Sequence, residues 1–144
     1  MISNARILIL GSGGREHAFA WSFANDENVA KIYCSPGNGG TGKIAENVTL
    51  DFSNHEMVME FVKNNDIDLT IVGPEAPLAD GIVDSFKKIG LPIFGPDKYA
   101  SQLESSKLFA RDMMAAYNIP IPEYYACKIR DEVDLAKVKL EIPL

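Results

Sequence analysis

The sequence predicts an α/β chain, a parallel sheet with helices on both faces. Three observations carry that expectation. Short, continuous apolar runs such as Arg6–Leu10 and Leu69–Val72 stop at glycine, as strands buried on both faces do. Between such runs, apolar residues recur at three- and four-residue spacing, the mark of a helix with one buried stripe. Strands and helices alternate through short loops, with no internal repeat and no low-complexity tract, which is the pattern of crossover units in a parallel sheet.

Taken in order, Arg6–Leu10 is a β-branched and leucine run that reads as the first strand. Glu16–Ala24 stacks Phe19 on Phe23 and Ala20 on Ala24 at i, i+4, so it reads as a helix. Val29–Cys34 is a second strand, Ser35–Gly42 a glycine-rich loop, and Val48–Leu50 a short third strand. Ser53-x-x-Glu56 has the spacing of a capping box, and the helix it opens puts Met57, Val58, Phe61 and Val62 on one face. His55 on that helix is given no role. Leu69–Val72 is a strand cut by Gly73-Pro74. Leu78–Ile89 reads as one amphipathic helix, with Leu78, Ala79, Ile82, Val83 and Phe86 inside and Gly90 at C′. Pro92–Phe94 is a short strand cut by Gly95-Pro96. A short helix near Lys98–Leu103 and a longer one over Ser106–Tyr117 follow, the latter stopped by Asn118 and Pro120. The prolines of Tyr117–Tyr124 suit a linker, Tyr124–Lys128 reads as a strand, and Asp131–Lys139 as a helix.

At 144 residues, with 47% hydrophobic and 24% charged side chains, the chain has ordinary globular composition. Its formal charge is −6 and it has no Lys/Arg block, which argues against nucleic acid or a membrane as partner. A small anion would have to be held by local donors. Two cysteines far apart and two histidines make no zinc constellation. Cys34 and Cys127 are expected as small buried thiols in a reducing compartment. The apolar start is too short for a signal peptide, and no apolar run reaches the roughly 18 residues of a membrane span, so the expected location is the cytoplasm. The oligomeric state is not legible.

In an open parallel sheet, ligands bind beyond the carboxyl ends of the strands. Glycine- and proline-marked turns stand there: Gly11-Ser12-Gly13-Gly14, Ser35-Pro36-Gly37-Asn38, Gly73-Pro74-Glu75 and Gly95-Pro96-Asp97. A dinucleotide fingerprint is only half present. Glu16 stands where the third small residue of G-x-G-x-x-G should pack, and the second strand ends Tyr33-Cys34-Ser35 without the ribose-binding acid. No Walker A lysine follows the glycines. Arg15 is a cation in a first helical turn, where the helix dipole favours an anion. It either faces a phosphate or carboxylate ligand or pairs with a neighbour such as Glu16. His17 reads as packed or hydrogen-bonded, or as an acid–base group. Glu75 is either a rigidly presented ligand for a hydroxyl or amine, or a helix-start charge. Asn38 is either a ligand contact or a left-handed turn residue.

The segments GSGGREHA, PGNGGT, IVGPEAPLADGIVD, IFGP and QLESSKLFARDMM, in this order and spacing, resemble the N-terminal part of the phosphoribosylamine–glycine ligase family of ATP-grasp enzymes. The match runs from Arg6 to about Pro122. The resemblance implies a Rossmann-like pre-ATP-grasp domain over 1–104 that binds the sugar phosphate, then the truncated beginning of the ATP-grasp region over 105–144. It implies ATP-dependent joining of glycine to 5-phosphoribosylamine in purine biosynthesis. It assigns Gly13, Gly14, Arg15, Glu16, His17, Pro36, Gly37, Asn38, Gly73, Pro74 and Glu75 to phosphoribosylamine and Lys107 to ATP. ATP and Mg2+ would be held largely by regions outside this chain, with no catalytic or metal-binding residue within it. Three apolar residues in the final EIPL read as the start of a strand and hint at truncation, so the chain alone is expected not to ligate. The alternative is a non-catalytic sugar-phosphate- or nucleotide-binding module of the same fold.

Overall fold

A computed structural model of the chain describes residues 3–139. The final EIPL lies outside the described residues. The chain divides into two compact units, Met1–Ser101 and Gln102–Leu144.

The first unit is built on a parallel sheet of five strands. These are β1 (Ala5–Gly11), β2 (Val29–Pro36), β3 (Glu46–Asn47), β4 (Leu69–Val72) and β5 (Ile93–Phe94), in the spatial order β3-β2-β1-β4-β5. Strand order therefore reverses between β1 and β4. Alternate residues of β1 serve opposite faces, as the two-residue period of a strand requires. Leu8 and Leu10 join Tyr33 and Val72 under helices α2 (His55–Asn64), α3 (Glu75–Asp80) and α4 (Ile82–Lys88), through Val58, Val62, Leu78, Ile82 and Phe86. Ile7 and Ile9 join Ile32, Cys34 and Ile71 under helix α1 (Gly14–Ala24), through Ala20 with Phe19 and Phe23. Helices thus cover both faces.

Several local expectations are corrected. The third strand is Glu46–Asn47, which pairs with Tyr33 and Cys34, not Val48–Leu50. Val48 and Leu50 turn instead onto the core beneath α2–α4. The cap of α2 is Asn54, whose Oδ1 accepts the Met57 N–H at 3.1 Å. Ser53 is held away by its hydroxyl bond to Asp51 at 2.7 Å. His55, given no functional role, has Nδ1 hydrogen-bonded to Ser85 Oγ at 2.8 Å, which ties α2 to α4, with Nε2 3.3 Å from Asp80 Oδ2.

The single helix expected over Leu78–Ile89 is two helices. Gly81 between them has φ of +98°, a left-handed conformation that stops α3 and restarts the chain as α4. The apolar spacing runs through this break undisturbed, so periodicity alone could not reveal it. Gly90 follows α4 with Leu91 N–H bonded to Phe86 O at 3.1 Å, as a C′ residue should be placed.

The second unit contains α5 (Gln102–Ser105), α6 (Lys107–Ala116) and α7 (Arg130–Lys139). Turn residues occupy Lys98–Ser101, so the short helix begins later than expected. Ser106 caps α6 through the Phe109 N–H at 3.3 Å, and Asn118 follows its end with φ of +54°. Tyr124–Lys128 forms no strand. Cys34 is buried and its thiol is pushed up to about 11 by burial, but Cys127 is exposed, against expectation. Among the described residues no helix is long and apolar enough to cross a membrane.

Asn54→Ala is expected to cost about 1 kcal/mol of stability, whereas Ser53→Ala stays within about 0.5 kcal/mol. Urea denaturation of both variants checks this, and the reverse ranking would return the cap to Ser53.

Candidate functional site

The turns after β1, β2 and β4 meet on one rim because all are bonded to the end of β1. Gly37 N–H donates to Gly11 O at 3.2 Å, and Gly73 N–H donates to Leu10 O at 3.0 Å. This rim lies where strand order reverses, the place where open α/β sheets take ligands.

Glu16 is the unexpected feature of the rim. It stands at the third position of α1, and its side chain folds back under the turn, 4% exposed. Its Oε2 accepts the Gly13 N–H at 2.6 Å, and its Oε1 lies 2.9 Å from Arg15 Nε. This is the acid half of a capping box with glycine at the N-cap. Burial alone would push the carboxyl up. The Arg15 hydrogen bond, the Gly13 N–H and the guanidinium charge outweigh that and hold it below its ordinary 4.5.

Two glycines exist to admit this side chain. A Cβ on Gly73 would lie 1.9 Å from Glu16 Oε1, and one on Gly11 would lie 2.6 Å from Glu16 Cγ. Gly11 also has φ of +127°, which a larger residue would resist. In a dinucleotide fold the turn glycines let backbone approach the pyrophosphate. Here they let it approach an internal carboxylate.

The turn after β2 is held by side chains. Asn38 Oδ1 accepts the N–H groups of Gly40 and Thr41 at 2.7 and 3.0 Å, and its Nδ2 donates to Ser12 O at 2.8 Å. Asn38 is therefore not a left-handed turn residue but a latch between two turns. Thr41, fully buried, donates its hydroxyl to Asn47 Oδ1 at 2.8 Å, and Asn47 Nδ2 returns a bond to Asn38 O at 2.9 Å. Sequence reading missed Thr41 and Asn47; the only signal was a small polar residue just past a glycine pair.

Of the other residues singled out in the sequence, Gly13 and Gly14 lie exposed at the start of α1. Pro36 is exposed and Gly37 half-buried beside Thr41 and Asn47. His17 packs on Gly40, where a Cβ would fall 2.5 Å from its ring, and with Gly14, Ala18 and Trp21 it lines a shallow groove of about 360 Å³. Glu75 is exposed as the first residue of α3, behind Pro74. Lys107 is exposed as the first residue of α6, in the second unit.

The arrangement is a glycine-lined rim with a half-exposed Arg15 side chain in the first turn of α1, bonded to an internal carboxylate that also takes the Gly13 N–H. The family model for the N domain of phosphoribosylglycinamide synthetase matches residues 5–104. The chain belongs to this family. A phosphoribosylamine–glycine ligase from Clostridium acetobutylicum is 56% identical over 121 residues, covering 83% of this chain and 29% of that protein. One from Rhodopirellula baltica is 45% identical over 131 residues, covering 91% of this chain and 30% of that protein. The crystal structure of the Thermotoga maritima phosphoribosylamine–glycine ligase matches with a TM-score of 0.71 at 26% identity, over 96% of this chain and 32% of that one. The chain thus spans about 30% of the length of the curated relatives it matches.

Gly73→Ala is expected to destabilise the protein by about 1–3 kcal/mol, because the new methyl has no room beside Glu16. Thermal unfolding measures it, and a neutral effect would mean that Glu16 is not packed there. The folded Glu16 value is lowered, so its charge stabilises above the ordinary 4.5 and the benefit is lost as pH falls through the folded value. The stability gap between wild type and Glu16→Gln is therefore full near neutrality and closes on acidification. A gap independent of pH would contradict the paired, ionised carboxylate.

Proposed function

We propose that the chain is the substrate-binding N-terminal portion of an ADP-forming ligase that joins glycine to 5-phosphoribosylamine. In that reaction ATP activates the glycine carboxylate as an acyl phosphate, and the amine of the sugar phosphate displaces the phosphate. The observation that carries the reading is Arg15. Its side chain is 54% exposed at the N-terminus of α1, on the ligand-taking rim of a sheet whose dinucleotide position is blocked. A guanidinium with a helix N-terminus suits a phosphate monoester. Gly13, Gly14, His17, Pro36, Gly37, Gly73, Pro74 and Glu75 would frame the same ligand, while Glu16 and Asn38 would hold the frame from within.

The proposed division is a substrate domain over 1–104 and the start of the ATP-grasp region over 105–144; the family match over 5–104 supports that boundary. Lys107, exposed in the first turn of α6, would contact ATP. Among the described residues no group of three or more His, Cys, Asp or Glu side chains is arranged to hold a metal. Magnesium, which needs only one or two carboxylates beside the phosphates it neutralises, is proposed to be held largely by regions outside this chain. The chain by itself is proposed to bind the sugar phosphate without ligating it.

Calorimetric titration with ribose 5-phosphate tests the reading. Saturable binding is expected, weakened about 10- to 100-fold in Arg15→Ala by the loss of a charge-assisted contact. An absence of binding to the folded chain, or equal binding by the variant, would sink it.

A further inference from the structure

Glu16 has a second consequence, which rests on the sugar-phosphate reading of the rim. A guanidinium is planar, so a bond to Nε fixes the plane and with it the direction of both terminal nitrogens. Glu16 Oε1 makes that bond at 2.9 Å from a side chain that is itself 4% exposed and held by Gly13 N–H. Arg15 is therefore aimed by a group that cannot move without opening the turn. The other carboxylate oxygen takes the Gly13 N–H, so that donor of the glycine turn is not offered to a ligand.

We propose that Glu16 is a positioning and specificity-determining residue. Its carboxylate occupies the Gly13 N–H of the glycine turn and sets the Arg15 guanidinium to receive a terminal phosphate monoester. The ligand class is a sugar 5-phosphate. A bridging diphosphate that calls on the Gly13 N–H finds it already taken.

The sign of one substitution separates this from a bystander role. A carboxylate that merely stands near a bound anion repels it, so Glu16→Gln would then tighten ribose 5-phosphate. A carboxylate that aims Arg15 does the opposite, and Glu16→Gln is expected to weaken ribose 5-phosphate about tenfold. In an Arg15→Ala background the same substitution should change affinity less than about twofold, because its effect runs through Arg15. Arg15→Lys, which keeps the charge but has no fork to serve both Glu16 and a phosphate, should also lose about tenfold. The titrations use the whole chain, with circular dichroism to confirm folding. If Glu16→Gln does not fold, Arg15→Lys decides alone, since it leaves the carboxylate in place. Tighter or unchanged binding by Glu16→Gln, additive effects in the double variant, or wild-type binding by Arg15→Lys overturns the proposal while leaving the sugar-phosphate reading intact. No binding of ribose 5-phosphate to the wild type removes the reading on which it rests.

Discussion

The first unit is organised around one buried negative charge. A carboxylate taken out of water and left unpaired costs several kcal/mol, by rough estimate. Glu16 escapes that cost through the Gly13 N–H and the Arg15 guanidinium, helped by its own backbone N–H. The requirement spreads outward. Gly11 and Gly73 have no side chain because the Glu16 stem lies against them. The turn after β1 has its shape because its Gly13 N–H must reach the carboxylate. Arg15 stays at a helix N-terminus, electrostatically a poor place for a cation, because its partner is beneath it.

Around that charge the sheet supplies rigidity. The carbonyls of Leu10 and Gly11 take the first N–H groups of the turns after β4 and β2, so the rim is continuous with the sheet. The Asn38–Thr41–Asn47 network closes the turn after β2 with side-chain bonds that loops of this length rarely supply for themselves. Beneath, the alternation of Leu8 and Leu10 with Ile7 and Ile9 sends one set of side chains to α2–α4 and the other to α1. The rim is thereby anchored from both faces.

Much of this was legible in the sequence, and the failures share a cause. Buried strands announce themselves as short apolar-rich runs ended by turn residues, so β4 was found to the residue, β1 to within one residue at each end and β2 to within two at its carboxyl end. Elements fixed by one backbone angle or one polar bond were not. Gly81 splits a helix whose apolar spacing is continuous across it. Capping-box spacing occurs at Ser53-x-x-Glu56, where a neighbouring Asn54 takes the role, and at Gly13-x-x-Glu16, where the acid is used but glycine hides the pattern. Arg15 was readable as a misplaced cation; both readings left open for it are compatible, since its pairing with Glu16 is shown and its ligand is proposed. Of the two readings left open for Asn38, the left-handed turn residue is excluded by its backbone, and its bonds within the turn come from Thr41 and Asn47 partners that no local rule anticipates.

The packing of Glu16 against two glycines also constrains how this fold can change over evolutionary time. A small residue at position 16 would leave a void between Gly11 and Gly73 and remove the carboxylate that the Arg15 Nε bonds. Filling that void from either glycine first would collide with the carboxylate still in place. A change at any one of the three positions is therefore expected to call for a compensating change at another. The three positions thus constrain one another through packing alone, whatever a ligand adds to that.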